Sequence, residues 1–148
     1  MHSVSSKLHG SCHCANVSFE LTWPDDATAI CARRCGCTFC LKHGGVWTSN
    51  PAGALAVRIA RPAELSRYAF GTGTAEFLVC AHCGAVPLVT SRIDERVYAV
   101  VNVNTLDGVD AARIDIAPAS FDGEDVGDRL ARRQRNWIPD VVIEEGPS

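Results

Sequence analysis

Alternating apolar and polar residues dominate the chain. Residues 17–23, VSFELTW, place four apolar side chains on one side, and residues 55–59, LAVRI, place three there in the same way. This two-residue period is that of a half-buried β-strand. Glycine and proline separate the alternating stretches, as they do at turns. The same criteria predict five further strands, at 27–34, 66–70, 75–80, 86–91 and 97–103.

Helical signals are weak and short. One stretch, 61–66, opens with a proline, and another, 124–134, begins with acidic residues and continues into arginines, as the helix dipole favours. We therefore predict one mainly β domain of hairpins and sheets over residues 1–148. Residues 109–148 are expected to form a short helical or irregular C-terminal segment.

Composition and charge narrow the class of protein. The 148 residues are 47% hydrophobic and 21% charged, which is typical of a globular domain. A net charge of −3 disfavours nucleic acid and anionic membranes as partners. The densest basic cluster is interpreted as a solvated face, since acidic residues follow it; it consists of Arg129, Arg132, Arg133 and Arg135.

Cysteine usage indicates metal chemistry. The N-terminal residues lack the apolar run of a secretory signal, and no stretch approaches the roughly 18 apolar residues of a membrane span. We therefore expect a cytoplasmic protein with reduced thiols. Eight cysteines in such a compartment favour metal ligation or redox chemistry over disulfides.

The cysteines fall into three groups along the chain: Cys12 and Cys14; Cys31, Cys35, Cys37 and Cys40; and Cys80 and Cys83. The last group, followed by Gly84, has the spacing of a zinc knuckle and supplies half of a tetrahedral site. Either of the other groups can complete it. The economical pairing joins the two outer groups into a Cys₄ structural site and leaves the middle group as a second, local site.

Cys31 has two interpretations. In a straight strand it lies about 13 Å from Cys35, at ~3.3 Å per residue, which is too far for one shared zinc ion. It is therefore expected to be a small buried hydrophobe, with fourth-ligand status as the alternative. Without Cys31, the middle site has three thiolates, Cys35, Cys37 and Cys40, and one open position.

Three motifs carry a family resemblance: HGSCHCANVSFEL, CGCTFCLKHGG and FLVCAHCGAVPL. In order and spacing they resemble the motifs of the glutathione-dependent formaldehyde-activating enzyme family, which includes the centromere protein V relatives. The resemblance covers about residues 9–108. The family pattern has Gly, His and Arg where this chain has Ala15, Gly36 and Leu41.

The resemblance implies a Mss4-like fold stapled by zinc, with two Zn²⁺ ions. Cys12, Cys14, Cys80 and Cys83 would hold a structural zinc, and Cys35, Cys37 and Cys40 a catalytic one. The implied activity is that of a carbon–sulfur lyase, joining glutathione to a small aldehyde such as formaldehyde to give S-hydroxymethylglutathione.

Residues near the middle group are candidates for substrate binding. Arg33, Arg34 and Lys42 could hold glutathione carboxylates, and His43 could move a proton. Phe39 and Trp47 are expected to be core. The alternatives are an open-zinc enzyme acting on another carbonyl, imine or thiol, a non-catalytic Mss4-like interaction module, and a redox sensor that releases zinc on oxidation.

Overall fold

The computed structural model describes residues 5–24, 29–121 and 123–147. Two sheets form the body of the protein. The five-stranded sheet has the order β10 (Leu106–Asp107), β1 (Ser5–Ser11), β2 (Val17–Pro24), β5 (Ala54–Ile59), β12 (Asp140–Glu145). The seven-stranded sheet has the order β11 (Ile114–Ala119), β3 (Ile30–Cys35), β4 (Val46–Thr48), β9 (Arg96–Asn102), β8 (Leu88–Ile93), β7 (Glu76–Cys80), β6 (Leu65–Tyr68).

Helical structure is confined to short segments. The α-helices are α1 (Thr38–His43) and α2 (Val126–Asn136), and 3₁₀ turns occupy Pro62–Glu64, Val103–Thr105 and Ala111–Arg113. No described helix is long and apolar enough to cross a membrane. The mainly β, Mss4-like fold class is confirmed, with 48% of the described residues in strands.

The alternating stretches form strands as predicted. In β2 every second side chain is buried, and β2 pairs antiparallel with β5 so that Leu21 faces Leu55. The five further strands correspond to β3, β6, β7, β8 and β9, with ends shifted by a few residues; residues 27 and 28 of the first lie outside the described part. The predicted helix at 61–66 is only one 3₁₀ turn, because β6 begins at Leu65.

The C-terminal segment contributes more than a helix. Before α2, β11 pairs in parallel with β3, and after α2, β12 pairs in parallel with β5. Residue Ile138, between α2 and β12, exchanges hydrogen bonds with Ala99 of β9 and is fully buried. The segment therefore fixes α2 against the seven-stranded sheet.

Two groups of buried side chains make up the core. The larger lies between the sheets and includes Leu21, Leu55, Leu88 and Val101. The smaller is rich in aromatic side chains, among them Trp47, Phe77 and Trp137, and the half-buried Cys35 and Cys37 pack against it. This aromatic cluster, on the seven-stranded sheet, positions the middle cysteine group.

Candidate metal centres and the adjoining cavity

The outer cysteines meet at one point. Cys12 and Cys14 lie in the β1–β2 connection, and Cys80 and Cys83 lie at the end of β7 and in the turn after it. All four Sγ atoms lie within 4.8 Å of one another, with 3.8 Å between Cys12 and Cys14 and 3.5 Å between Cys14 and Cys80. Tetrahedral Zn²⁺ with Zn–S distances of about 2.3 Å separates its sulfurs by about 3.8 Å. The donor set therefore fits one zinc ion.

Backbone geometry supports this outer group. The N–H groups of Val17 and Cys83 donate to the Sγ atoms of Cys12 and Cys80, at 3.3 and 3.5 Å. Such donors stabilise thiolates. Gly84 has φ of +82°, and Ala15 has φ of +67°, a value that costs little only for glycine. Ala15 occupies the position where the family pattern has glycine.

The outer thiols differ in acidity. Burial raises the pKa of Cys12 to about 12. At Cys83 burial acts in the same direction, but the backbone N–H groups of Ala85 and Cys14 and the neighbouring thiols outweigh it and lower the pKa to about 6. A bound divalent cation would displace the protons that these sulfurs otherwise share.

The middle group is built by a strand end and a short helix. Cys35 ends β3, Cys37 is the N-cap of α1, and Cys40 lies within α1, so that their three Sγ atoms come within 4.8 Å of one another. The backbone N–H of Cys40 donates to Cys37 Sγ at 3.4 Å. Gly44, with φ of +78°, is the C-cap that follows the helix. Because Cys37 Sγ accepts the hydrogen bond from Cys40, the first turn of α1 fixes the position of that sulfur next to the other two.

Cys40 has a second donor. The indole N–H of Trp47, which is 5% exposed, donates to Cys40 Sγ at 3.4 Å. Hydrogen bonding with Cys40 lowers the pKa of Cys35 to about 5, and the same bond together with burial raises the pKa of Cys40. Three sulfurs with outer donors of this kind fit a soft divalent ion such as zinc.

Cys31 does not join this group. It is exposed on β3, where its neighbours Ile30 and Ala32 turn into the core, so the expectation of a buried side chain was wrong. Among the described residues, the Cys, His, Asp and Glu side chains that gather at the middle site are Cys35, Cys37 and Cys40 alone. The structure therefore gives no support to Cys31 as a fourth ligand.

The three middle sulfurs line a cavity of about 170 Å³. Its apolar wall includes Trp47, Phe77, Val89 and Val100. Arg33 also lines it, with a guanidinium N–H that donates to Ser49 Oγ at 3.1 Å. A pocket next to an incomplete metal shell is where a ligand would complete that shell.

The other sequence candidates lie elsewhere. Arg34 and Lys42 are exposed and do not line the cavity. His43 packs its ring between Phe39 and Trp47, with ring centroids 4.5 and 5.8 Å away, and burial lowers its pKa. Its Nε2 is buried and makes no hydrogen bond to the described residues. Of the four substrate-binding candidates, the structure brings only Arg33 to the cavity.

Three arginines of α2 also line the cavity: Arg129, Arg132 and Arg133. The interpretation of this cluster as a solvated face was therefore wrong for these three, whereas Arg135 is exposed. Their spacing of three and four residues places them on one helix face. That spacing was the available signal, but only the packing of α2 on the sheet shows which way the face points.

The comparisons with known proteins agree with this geometry. The glutathione-dependent formaldehyde-activating enzyme family model matches residues 7–120, and the chain belongs to that family. The chain is also similar to a Northeast Structural Genomics target from Rhodobacter sphaeroides, a crystal structure with 28% sequence identity and a TM-score of 0.53, covering 74% of this chain and 99% of that one. No curated protein matches the chain significantly. Helix α2 lies outside the family match.

Proposed function

We propose that the protein is a zinc enzyme that joins a thiol to a small aldehyde, with glutathione and formaldehyde as the reactants that the family suggests. Cys12, Cys14, Cys80 and Cys83 would hold a structural zinc, and Cys35, Cys37 and Cys40 a catalytic one. The observation that carries the proposal is that only three sulfurs meet at the cavity, while four meet at the outer site.

The middle site suits a thiol better than a carbonyl. Three thiolates around a divalent cation leave a net charge of −1, which weakens the ion as a Lewis acid. When bound, zinc would lower the pKa of a thiol at the open position and keep it as a thiolate. The hydrogen bond from the Trp47 indole N–H would keep Cys40 Sγ in position as a zinc ligand. The apolar wall of the cavity would exclude water from the reactants.

The chemical step forms one bond. The thiolate sulfur attacks the carbonyl carbon of the aldehyde, a C–S bond forms, and the carbonyl π electrons move to oxygen. That oxygen takes up the proton that the thiol has lost, giving the S-hydroxymethyl product. The reverse reaction breaks the C–S bond, which makes the enzyme a carbon–sulfur lyase. Holding both reactants in one cavity accelerates a reaction that also proceeds unaided.

Exchange NMR spectroscopy of glutathione and formaldehyde at equilibrium tests the proposal. The zinc-loaded protein is expected to raise the exchange rate, Cys37→Ser to abolish the increase and Cys31→Ser to preserve it. Both variants replace a cysteine by serine, but Cys37 lines the cavity, whereas Cys31 is exposed on β3. An exchange rate equal to that of the protein-free mixture would contradict the proposal and favour a non-catalytic module.

A further inference from the structure

Arg133 is a buried cation that pairs with no carboxylate of the described residues. Its side chain is on α2, the residue is 6% exposed, and its guanidinium lies 5.0 Å from the ring centroid of Trp137. Nη1 donates to Thr74 Oγ1 at 2.9 Å, to the Thr74 carbonyl at 3.3 Å and to Ser91 Oγ at 3.1 Å. Among the described residues, no carboxylate oxygen lies within 4.0 Å of it.

Two further donors of Arg133, Nε and Nη2, have no acceptor in the part of the chain that the structure describes. Its Nε is buried and has no hydrogen-bond partner among the described residues, and Nη2 donates to none of them. Thr74 and Ser91 fix the guanidinium, since Ser91 Oγ in turn donates to the Thr74 carbonyl at 2.8 Å. A buried charge costs free energy unless a partner offsets it. Since Nε has almost no accessible surface, Nη2 is the donor that a ligand in the cavity would meet.

Neighbouring charges do not supply that partner. Glu124 pairs with Arg132 at 3.0 Å and with Arg129 at 3.8 Å, and these two arginines share the cavity wall with Arg133 and Arg33. Burial, together with the charges of Arg132 and Arg129, lowers the pKa of Arg133 to about 10, although the charge of Glu124 acts in the opposite direction at longer range, so Arg133 stays protonated at neutral pH. Among the described residues, the cavity therefore has an excess of positive charge.

The arginines and the middle sulfurs belong to the same cavity. The residues that line it include Arg129, Arg132 and Arg133 as well as Cys35, Cys37 and Cys40. The volume of about 170 Å³ is below the roughly 300–1,000 Å³ of pockets that enclose drug-sized ligands. The part of a ligand that lies inside the cavity is consequently short, apolar in its middle and negatively charged at one end.

We propose that the Arg133 end of the cavity is a carboxylate-binding subsite and that the preferred substrate is a compact thiol bearing a carboxylate a few bonds from its sulfur. The inference rests on the proposed function, since it places the sulfur at the open position beside Cys35, Cys37 and Cys40. It narrows the range of preferred substrates to small thiols, because a tripeptide thiol such as glutathione would extend beyond the cavity. Helix α2, which supplies the subsite, lies outside the family match.

Calorimetric titration of the zinc-loaded protein tests the subsite. The probes are 3-mercaptopropionate, its methyl ester, which keeps the thiol but removes the charge, and glutathione. In the wild-type protein 3-mercaptopropionate is expected to bind at least about 10-fold more tightly than its ester, the value of one hydrogen bond to a charged group. It is also expected to bind more tightly than glutathione.

Variants of α2 locate the effect. Arg133→Gln is expected to reduce the preference for the acid over the ester to about 2-fold or less, and Arg133→Lys to retain part of it, because the charge remains. Arg135→Gln makes the same change on the exposed face of the same helix and should keep the full preference. The wild-type comparison needs no variant, so the inference stays testable if Arg133→Gln does not fold.

The outcomes separate the two proposals. If the ester and glutathione bind but the acid binds no better than the ester, the carboxylate subsite is refuted and the thiol-binding metal site survives. If the acid binds more tightly than the ester equally in wild type and Arg133→Gln, the subsite is not at Arg133 and the inference is also refuted. If none of the three thiols binds, the proposed function itself fails.

Discussion

Replacing Trp47 with phenylalanine should weaken zinc binding at the middle site alone. The substitution keeps an aromatic ring in the cavity wall but removes the indole N–H that donates to Cys40 Sγ at 3.4 Å. Hydrogen bonds to charged groups contribute about 1.5–3 kcal/mol, and because sulfur is a weak acceptor this one is placed near the lower end. A loss of about 1.5–2 kcal/mol corresponds to roughly 10- to 30-fold weaker zinc binding, within the range of about 10- to 100-fold found for outer-shell partners of metal ligands.

Competition with a chromophoric zinc chelator measures the change, and the outer site of the same molecule serves as an internal reference. Trp23→Phe is the matched control: Trp23 is 2% exposed, and its indole Nε1 is buried without a hydrogen-bond partner among the described residues. The control loses the same atoms but no bond to sulfur, so both zinc affinities should stay unchanged. A middle-site affinity within about twofold of wild type in Trp47→Phe, or an equal loss in Trp23→Phe, would refute the reasoning.

Three further predictions concern other parts of the molecule. Cys31→Ser should retain two zinc ions per chain in elemental analysis, because Cys31 is exposed and outside both clusters; loss of one ion would make it a ligand. Ala15→Gly should stabilise the protein by about 0.5–1 kcal/mol by relieving the φ of +67°, measured as a rise of about 2 °C in Tm; an unchanged or lower Tm would contradict this. Hydrogen bonding to Arg132 lowers the pKa of Glu124, so this carboxylate stabilises the fold above its unfolded pKa of about 4.3 and loses that effect as pH falls through the folded value. The Tm difference between wild type and Glu124→Gln should accordingly shrink on acidification, and a constant difference would contradict the assignment.

The sequence predicted the strands that alternate and missed those that do not. Strands β2 and β5 have one buried face each, so their two-residue period was visible. Strand β1, SSKLHGS, has almost no apolar residues, and β11, IDIAPA, contains a proline at a sheet edge. Such strands form because a neighbouring strand offers hydrogen bonds, and this information lies elsewhere in the chain.

Helix α1 was missed for a related reason. It has six residues, and its N-cap is the sulfur of Cys37 instead of a Ser, Thr, Asp or Asn oxygen. The spacing of Cys35, Cys37 and Cys40 indicated a shared ion without a helix. The grouping of the three sulfurs could be predicted, because residues two and three positions apart in the chain lie close together in space. The cap could not be predicted, because Cys37 accepts the hydrogen bond only once the loop has folded.

The cavity was beyond prediction because its walls come from distant parts of the chain. Arg33 is four residues before Cys37, but Arg133 is about a hundred residues away and reaches the site only through α2. An arginine-rich helix carries no apolar stripe that would reveal which face packs inward.

The burial of Cys31 was predicted wrongly from the general behaviour of its residue type. Cysteine is buried more often than not, yet here the alternation of β3 turns Ile30 and Ala32 inward and leaves Cys31 exposed.

The central claim is that one zinc site is closed by four sulfurs and the other is open beside a cavity. Zinc-edge X-ray absorption of the purified, zinc-loaded protein measures this directly. The account predicts two zinc ions with an average of about 3.5 sulfurs each, the mean of four and three, and a rise to about 4 when a thiol is added. An average of four sulfurs without added thiol, or an average that thiol leaves unchanged, would contradict it.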